Sequence, residues 1–337
     1  MADRKVILRA DADSTIGYGH FMRLLALGEL LSAEFEIIFA TRNPNRFQME
    51  QLSNLTNEVI DLPDNDTHFD EFLTRLDGRE IVVLDNYYFD TGYQRAIKDK
   101  GCKLVCIDDL HERHYAADLV INHAPGLDSS VFSIEPGGRL LLGPKYMLVR
   151  KEFRDAPPVG EQQIRQFPSH LLLAFGGSDP ENLTQQYLEE LVSTQLFERV
   201  SIITGSGYVY QKQLEEFIKW QPTLEICLYH SISASQMVAL IRQSDFALVP
   251  ASTMLFEMMA LQLPTLSGYT VDNQKEIYCG FLERNLIFDG GDLTLIGESI
   301  KKAAELKRDE VLALHYRQKA FVGKETSRVF IKEFQQL

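Results

Sequence analysis

Along the chain, short apolar runs alternate with amphipathic stretches. The first half reads as strands "VILRA", "FEIIFA", "EIVVLD", "KLVCIDD" and "LVINH". Helical spacing fills the gaps between them, most clearly over 20–32 and 90–100. Over 20–32, Phe21, Leu24, Leu25, Gly28 and Leu31 follow i, i+3, i+4 spacing, which predicts one buried helix face. A polar segment with three prolines, "DAPPVGEQQIRQFPS" over 155–169, interrupts this rhythm and reads as a linker. The alternation then restarts with "HLLLAF", "RVSIITG", "LEICLYH", "FALVPAS" and "LPTLSGY", again with helical stretches between. Strands alternating with helices predict βαβ units and mainly parallel sheets. The expected fold class is therefore α/β with two Rossmann-like domains, 1–155 and 170–337, joined by a linker at 156–169. The final helical segment, about 298–337, is expected to pack back across both domains, with its last helix on the first.

Composition narrows the class. The chain has 337 residues, 45% hydrophobic and 24% charged, which is ordinary for a globular protein. No apolar run reaches the ~18 residues of a membrane span. The charged start "MADRKVILRAD" is unlike a signal peptide, so a cytoplasmic protein is expected. Cys102, Cys106, Cys227 and Cys279 form no C-x-x-C pair, which predicts reduced thiols and no structural zinc. A net charge of −14 argues against a nucleic-acid partner. An anionic ligand would have to be held by local features such as helix N-termini.

Two glycine turns carry the candidate chemistry. "ADADSTIGYGHFMR" leaves the first strand. Gly17 and Gly19 permit a tight turn, but Met22 stands where a dinucleotide fingerprint needs its third glycine. The loop delivers His20 to the start of a helix, a position that disfavours the imidazolium. His20 is either a base there or a helix-packing residue. Asp11 or Asp13 could orient its ring, or either could be a solvated loop carboxylate.

The second turn, "FGGSDPENLT", places Gly176, Gly177, Ser178 and Asp179 between a buried strand and a helix. Ser178 to Glu181 has capping-box spacing, and Pro180 suits a first helical turn. Free N–H groups at such a turn favour an anion. "PASTMLFEMM" repeats the theme with Ser252 and Thr253. Glu257 lies one turn in among apolar neighbours, where a carboxylate could receive ribose hydroxyls. Asn273, Gln274 and Lys275 of "DNQK" follow in the next loop. His111 and His114 of "HERH" are one residue short of a zinc motif and read better as loop residues. Arg9, Arg23 and Lys145 are either substrate contacts or surface charge.

These pieces occur in order: "RADADSTIGYGH-x-MR", "LDNYY", "IDD", "LLGPKYMLVRKEF", "FGGSDPENLT", "AST-x-x-x-E" and "DNQ". Across roughly residues 5–280 the chain resembles the UDP-2,4-diacetamido-2,4,6-trideoxy-β-L-altropyranose hydrolases of pseudaminic acid synthesis. That family is similar in fold to the lipid II-forming N-acetylglucosaminyltransferase, a GT-B architecture. The resemblance implies two parallel sheets facing across a cleft, UDP in the C-terminal domain and the sugar in the cleft. It implies that His20 activates water, and that Tyr87 and Asn273 line the sugar and diphosphate. Asn86 departs from the histidine of at least one relative.

The expected ligand-contacting set is Asp11, Gly17, Gly19, Tyr87, Gly176, Gly177, Ser178, Asp179, Ser252, Thr253, Glu257, Asn273 and Gln274. His20 is the expected catalytic residue. No metal and no cofactor are expected; the expected partners are a UDP-sugar and other enzymes of its pathway. A transferase using His20 on an acceptor hydroxyl, or a hydrolase for another UDP-amino sugar, is the alternative. A non-catalytic nucleotide-sugar-binding protein is a further one. A nicotinamide-dependent dehydrogenase fails on the missing glycine.

Overall fold

The structure is a computed structural model that describes residues 4–12, 16–161, 164, 169–321 and 326–337. It divides into two compact units, Met1–Lys151 with Gly323–Leu337, and Glu152–Val322. The C-terminal fifteen residues thus belong with the first unit.

The first unit contains β1 (Lys5–Arg9), β2 (Glu36–Arg42), β3 (Val59–Leu62), β4 (Ile81–Leu84), β5 (Lys103–Ile107), β6 (His114–Tyr115), β7 (Leu119–Asn122), β8 (Ser133–Ile134) and β9 (Arg139–Leu142). Seven of these form one sheet in the order β3-β2-β1-β4-β5-β7-β9, and every pairing is parallel. β6 and β8 make a separate small pair. Strands such as "KVILR" and "IVVL" are buried on both faces, which is why they read as continuous apolar runs rather than alternating ones.

On one face, Val6, Leu8, Val83 and Val105 pack with Phe21, Leu24 and Leu25 of the helix Gly19–Leu31. On the other, Ile7, Val82 and Leu104 pack with Phe72 and Ile97. The Gly19–Leu31 helix buries more than its periodicity predicts: Ala26, Leu27 and Leu30 are covered as well. The reason is the terminal helix Thr326–Gln335, whose Phe330 and Phe334 join the same core. Gly28 sits where this helix meets the sheet. A Cβ there would lie 2.7 Å from Leu55 Cδ2 and 2.8 Å from Leu8 Cδ1, so a side chain would require these leucine tips to move aside.

The second unit repeats the plan. Its strands are β10 (His170–Leu173), β11 (Arg199–Thr204), β12 (Glu225–His230), β13 (Phe246–Pro250), β14 (Thr265–Tyr269) and β15 (Phe288–Asp292). They form a parallel sheet in the order β12-β11-β10-β13-β14-β15. Within the proline-rich segment the chain is not free: Val159 donates its N–H to the Leu261 carbonyl at 2.8 Å, and Ile164 is buried. In each sheet the strand order reverses beside the first strand, between β1 and β4 and between β10 and β13. Ligand crevices of doubly wound sheets open at the carboxyl ends of such pairs. Among the described residues no helix is long and apolar enough to cross a membrane.

Phe334 is fully buried and meets Phe35 with ring centroids 6.2 Å apart. Phe334→Ala should destabilise the protein by about 3–5 kcal/mol in urea unfolding followed by circular dichroism. A loss below about 1 kcal/mol would show that the terminal helix is dispensable to the first core.

Candidate active site

Gly17, at φ +79°, turns the chain leaving β1 into the Gly19–Leu31 helix, a conformation only glycine adopts without strain. Tyr18 precedes the helix without a side-chain cap, and His20 falls in its first turn, 6% exposed. The His20 Nδ1 lies 2.7 Å from Oδ1 of Asp85, the residue that follows β4. Arg23 Nη2 also lies 3.2 Å from Nδ1, but it donates to both carboxylates; a carboxylate only accepts, so the shorter Asp85 contact places the proton on Nδ1 and leaves Nε2 as the acceptor nitrogen. Geometry of this kind presents a histidine as a base, held in one tautomer by its carboxylate.

Arg23, one turn further on, grips the same carboxylate. Its Nε donates to Asp85 Oδ2 at 2.8 Å and its Nη2 to Asp85 Oδ1 at 2.7 Å. It also binds Asp109, beyond β5, with Nη1 at 2.6 Å from Oδ1 and Nη2 at 2.9 Å from Oδ2. Burial would discharge Arg23, but Asp109 and Asp85 outweigh it and hold the guanidinium charged. Burial likewise raises the Asp109 carboxyl, yet the Arg23 charge and hydrogen bonds pull it well below the usual carboxylate range. Tyr87 completes the group: its hydroxyl donates to Asp109 at 3.3 Å, and its ring meets His20 edge-on, centroids 4.6 Å apart. His20, Arg23, Asp85, Tyr87 and Asp109 line one pocket.

The orienting carboxylate is therefore Asp85, not Asp11. Asp11 is occupied elsewhere. Arg9 donates to both its oxygens, Arg42 donates its N–H at 2.7 Å and its Nε at 2.8 Å, and the Tyr88 hydroxyl donates to Oδ2. Burial raises the Asp11 carboxyl, but Arg9 and the other donors bring it down to about 2. Arg9 is fully buried and also donates to His68 Nδ1 at 3.0 Å, so it is not surface charge. Asn86 acquires a role here: its Oδ1 accepts the Asp11 N–H at 2.7 Å, tying the loop after β1 to the loop after β4. Asp13 lies outside the described residues.

In the second unit, the Ser178–Glu181 capping box does not form. The helix begins at Leu183, and Asp179, at φ +40°, caps it instead by accepting the N–H groups of Leu183 at 2.9 Å and Thr184 at 2.8 Å. Its carboxylate thus occupies the N–H groups expected to meet an anion. Gly176, at φ +86°, and Gly177 form the turn after β10, with the Gly177 carbonyl accepting from Gly207 at 3.1 Å. The helix Thr253–Leu261 differs: Ser252 precedes it in extended conformation with no side-chain cap, and its first-turn charge is not met by its own acid. Glu257 is buried on that helix. Gln274 folds onto its own loop, accepting from Thr270 N–H at 2.9 Å, and Asn273 shares its short 3₁₀ turn.

His111 and His114 lie outside any helix; His114 Nδ1 is 2.8 Å from the Ser133 hydroxyl. Among the described residues no group of three His, Cys, Asp or Glu could hold a metal ion. "LDNYY" and "IDD" carry Asp85 and Asp109, which nothing in the local sequence pattern singles out. The available signal was an acidic residue just past the end of an apolar strand, which is common in any Rossmann-like unit.

No family model matches the chain. It is 26% identical over 291 residues to an uncharacterised protein of Methanocaldococcus jannaschii, covering 83% of this chain and 58% of that protein. It is 24% identical over 273 residues to the UDP-2,4-diacetamido-2,4,6-trideoxy-β-L-altropyranose hydrolase of Campylobacter jejuni, covering 80% and 93%. It is 24% identical over 289 residues to the spore coat polysaccharide biosynthesis protein SpsG of Bacillus subtilis, covering 84% and 82%. Of solved structures, MurG of Acinetobacter baumannii is similar with a TM-score of 0.67 at 11% identity, covering 99% of this chain and 100% of that one. The S. aureus MnaA–UDP co-structure is similar with a TM-score of 0.64 at 10% identity, covering 98% and 96%. These likenesses establish the fold class as α/β and GT-B-like, with two Rossmann-like domains of parallel strands.

Two outcomes follow from the electrostatics. Burial, then the Arg9 charge, lowers His68 to about 4; burial, then the Arg23 charge, lowers His123 to about 4. Both are neutral in the folded state at pH values where the unfolded chain, near 6.5, takes up protons. Their contribution is complete above about pH 6.5 and is lost as pH falls toward about 4. Thermal unfolding across that window should steepen with acid, and His123→Gln should flatten the fall; an unchanged slope contradicts the neutral buried ring. Asp179→Ala should cost about 0.5–2 kcal/mol of stability through the lost cap, measured in urea.

Proposed function

We propose that the protein hydrolyses the anomeric C–O bond of a UDP-linked amino sugar, and that this sugar is 2,4-diacetamido-2,4,6-trideoxy-β-L-altropyranose. The observation that carries the proposal is the His20–Asp85 contact of 2.7 Å at the carboxyl ends of β1 and β4. In this reading Nε2 of His20 takes a proton from water as the oxygen attacks the anomeric carbon. Asp85 stabilises the imidazolium that forms. The bond to the β-phosphate oxygen breaks, and UDP departs with the electron pair, so the sugar inverts.

An ordinary glycosidase needs a second carboxylic acid to protonate its leaving group. UDP is already a good leaving group and needs only charge stabilisation, for which backbone donors suffice. The uncapped start of the Thr253–Leu261 helix suits that role, with Gly176, Gly177 and Ser178 at the companion turn. Glu257 is assigned to the ribose, Tyr87 to the sugar, and Asn273 and Gln274 to the diphosphate. The named hydrolase of Campylobacter jejuni supports this substrate, and the UDP co-structure supports the nucleotide. A UDP-glucosyltransferase of Polygonum tinctorium shares the fold, which keeps transfer to an acceptor hydroxyl as the second reading.

Turnover in water labelled with heavy oxygen separates the two. Label in the free sugar supports attack at the anomeric carbon. Label in the UDP phosphate, or transfer to an added alcohol with no hydrolysis, refutes the proposal. His20→Ala should lower kcat by about 10²–10⁴-fold. UDP affinity, read by calorimetry, should stay within about threefold of the parent, a change below 1 kcal/mol. Undiminished hydrolysis in His20→Ala sinks the base assignment.

A further inference from the structure

The pocket around His20 holds more charge than an oriented base requires. Arg23 covers both oxygens of Asp85, at 2.8 and 2.7 Å. A guanidinium placed there competes for the negative charge that a protonating imidazole needs. Arg23 is buried and stays charged. Taken alone, the trio of Asp85, Arg23 and neutral His20 has no net charge. A proton on His20 would then leave a buried, uncompensated positive charge, which is costly.

Asp109 changes that balance. It meets the opposite edge of the guanidinium with two hydrogen bonds, at 2.6 and 2.9 Å. Two carboxylates against one guanidinium leave one net negative charge while His20 is neutral, and none once it is protonated. We propose that Asp109 is a positioning residue that acts through Arg23: it holds the guanidinium in place and supplies the charge that makes protonation of His20 a neutralising step.

The groups that face His20 are Asp85 beyond β4, Arg23 on its own helix, Asp109 beyond β5, and the Tyr87 ring beyond Asp85; Asp108 and Arg113 line the same pocket, and their opposite charges leave the balance unchanged. His123, beyond β7, lies in the field of the same charges; burial and Arg23 keep it neutral, so it adds no compensating charge at neutral pH. Asp85 touches the ring itself, so Asp109 is the carboxylate whose removal takes away the one net negative charge without removing a His20 contact. This inference rests on His20 being the base, but not on the identity of the sugar.

The test uses the full chain with ring-labelled histidine and follows the His20 signal by NMR as pH is changed. The signal is assigned by its absence in His20→Asn. In Asp109→Asn the His20 midpoint should fall by about one pH unit, roughly tenfold weaker proton binding. Asp109→Glu, which keeps the charge, should hold the parent midpoint. Where Asp109→Asn does not fold, Asp109→Ser, which leaves room for water beside Arg23, takes its place. An unchanged midpoint in a folded neutral variant overturns the proposal. So does an equal fall in Asp109→Glu, because shape rather than charge would then be responsible. The acid limb of kcat/KM should move to lower pH with the midpoint. If the parent protein hydrolyses no UDP-sugar, the function proposed above fails, while the NMR midpoint still decides the role of Asp109.

Discussion

The Arg23 guanidinium, clamped between Asp85 and Asp109, is the interaction on which the first unit's site depends. It ties the helix that carries His20 to the carboxyl ends of two strands, β4 and β5. Each end of this clamp is a charge-assisted, two-bond contact, the strongest class of polar interaction available to a side chain. Burial makes the arrangement an all-or-none device. With every partner present the charges are satisfied, and with one removed a charge is left in a poorly solvated place, at a cost of about 3–5 kcal/mol. The His20 ring inherits its orientation from this frame, because the oxygen it meets is also held by Arg23.

A second buried network lies beside the first and does a different job. Arg9, Asp11, Arg42, Tyr88 and His68 are joined by hydrogen bonds, and Asn86 connects them to the backbone after β1. Asp85 and Asn86 are neighbours in sequence, so one loop serves both networks. Asp85 faces the histidine, and Asn86 pins the β1 loop from which the histidine's helix departs. The positions of His20 and its carboxylate are in this way fixed by one another's supports.

The two units share a topology and use it differently. In each, a glycine turn and a helix start lie where the strand order reverses. In the first, the turn presents a side chain that can carry a proton. In the second, the Leu183–Thr194 helix is closed by its own Asp179, while the Thr253–Leu261 helix has no such cap. A carboxylate at a helix start cancels the partial positive charge that would hold a phosphate, so helices that look equivalent in sequence differ in what they can bind.

The alternation of apolar runs with helical spacing was enough to determine two parallel α/β units, because strands buried on both faces must be apolar throughout. It also located the glycine turns and His20. Strands β3, β6, β8, β9 and β15 escaped: "VIDL" and "RLLL" are only partly buried at the two sheet edges, β6 and β8 are two residues each, and "FDGGD" carries two glycines and two acids. The terminal helix's place in the first core was legible only as amphipathic spacing, since its partner surface comes from residues some three hundred positions earlier. What the sequence could not decide was pairing among charges. Asp11, Asp13, Asp85 and Asp109 are equally plausible partners for a histidine when only their order is known. Strand adjacency decides: β4 lies beside β1, and that contact brings Asp85, sixty-five residues away, to the imidazole. The same holds for the capping acid. Spacing favours Ser178, but the left-handed backbone at Asp179 turns its carboxylate onto the helix start. Local pattern specifies elements, because burial acts on each residue; partners of buried charges are specified by topology, because a hydrogen bond exists only where two chain segments meet.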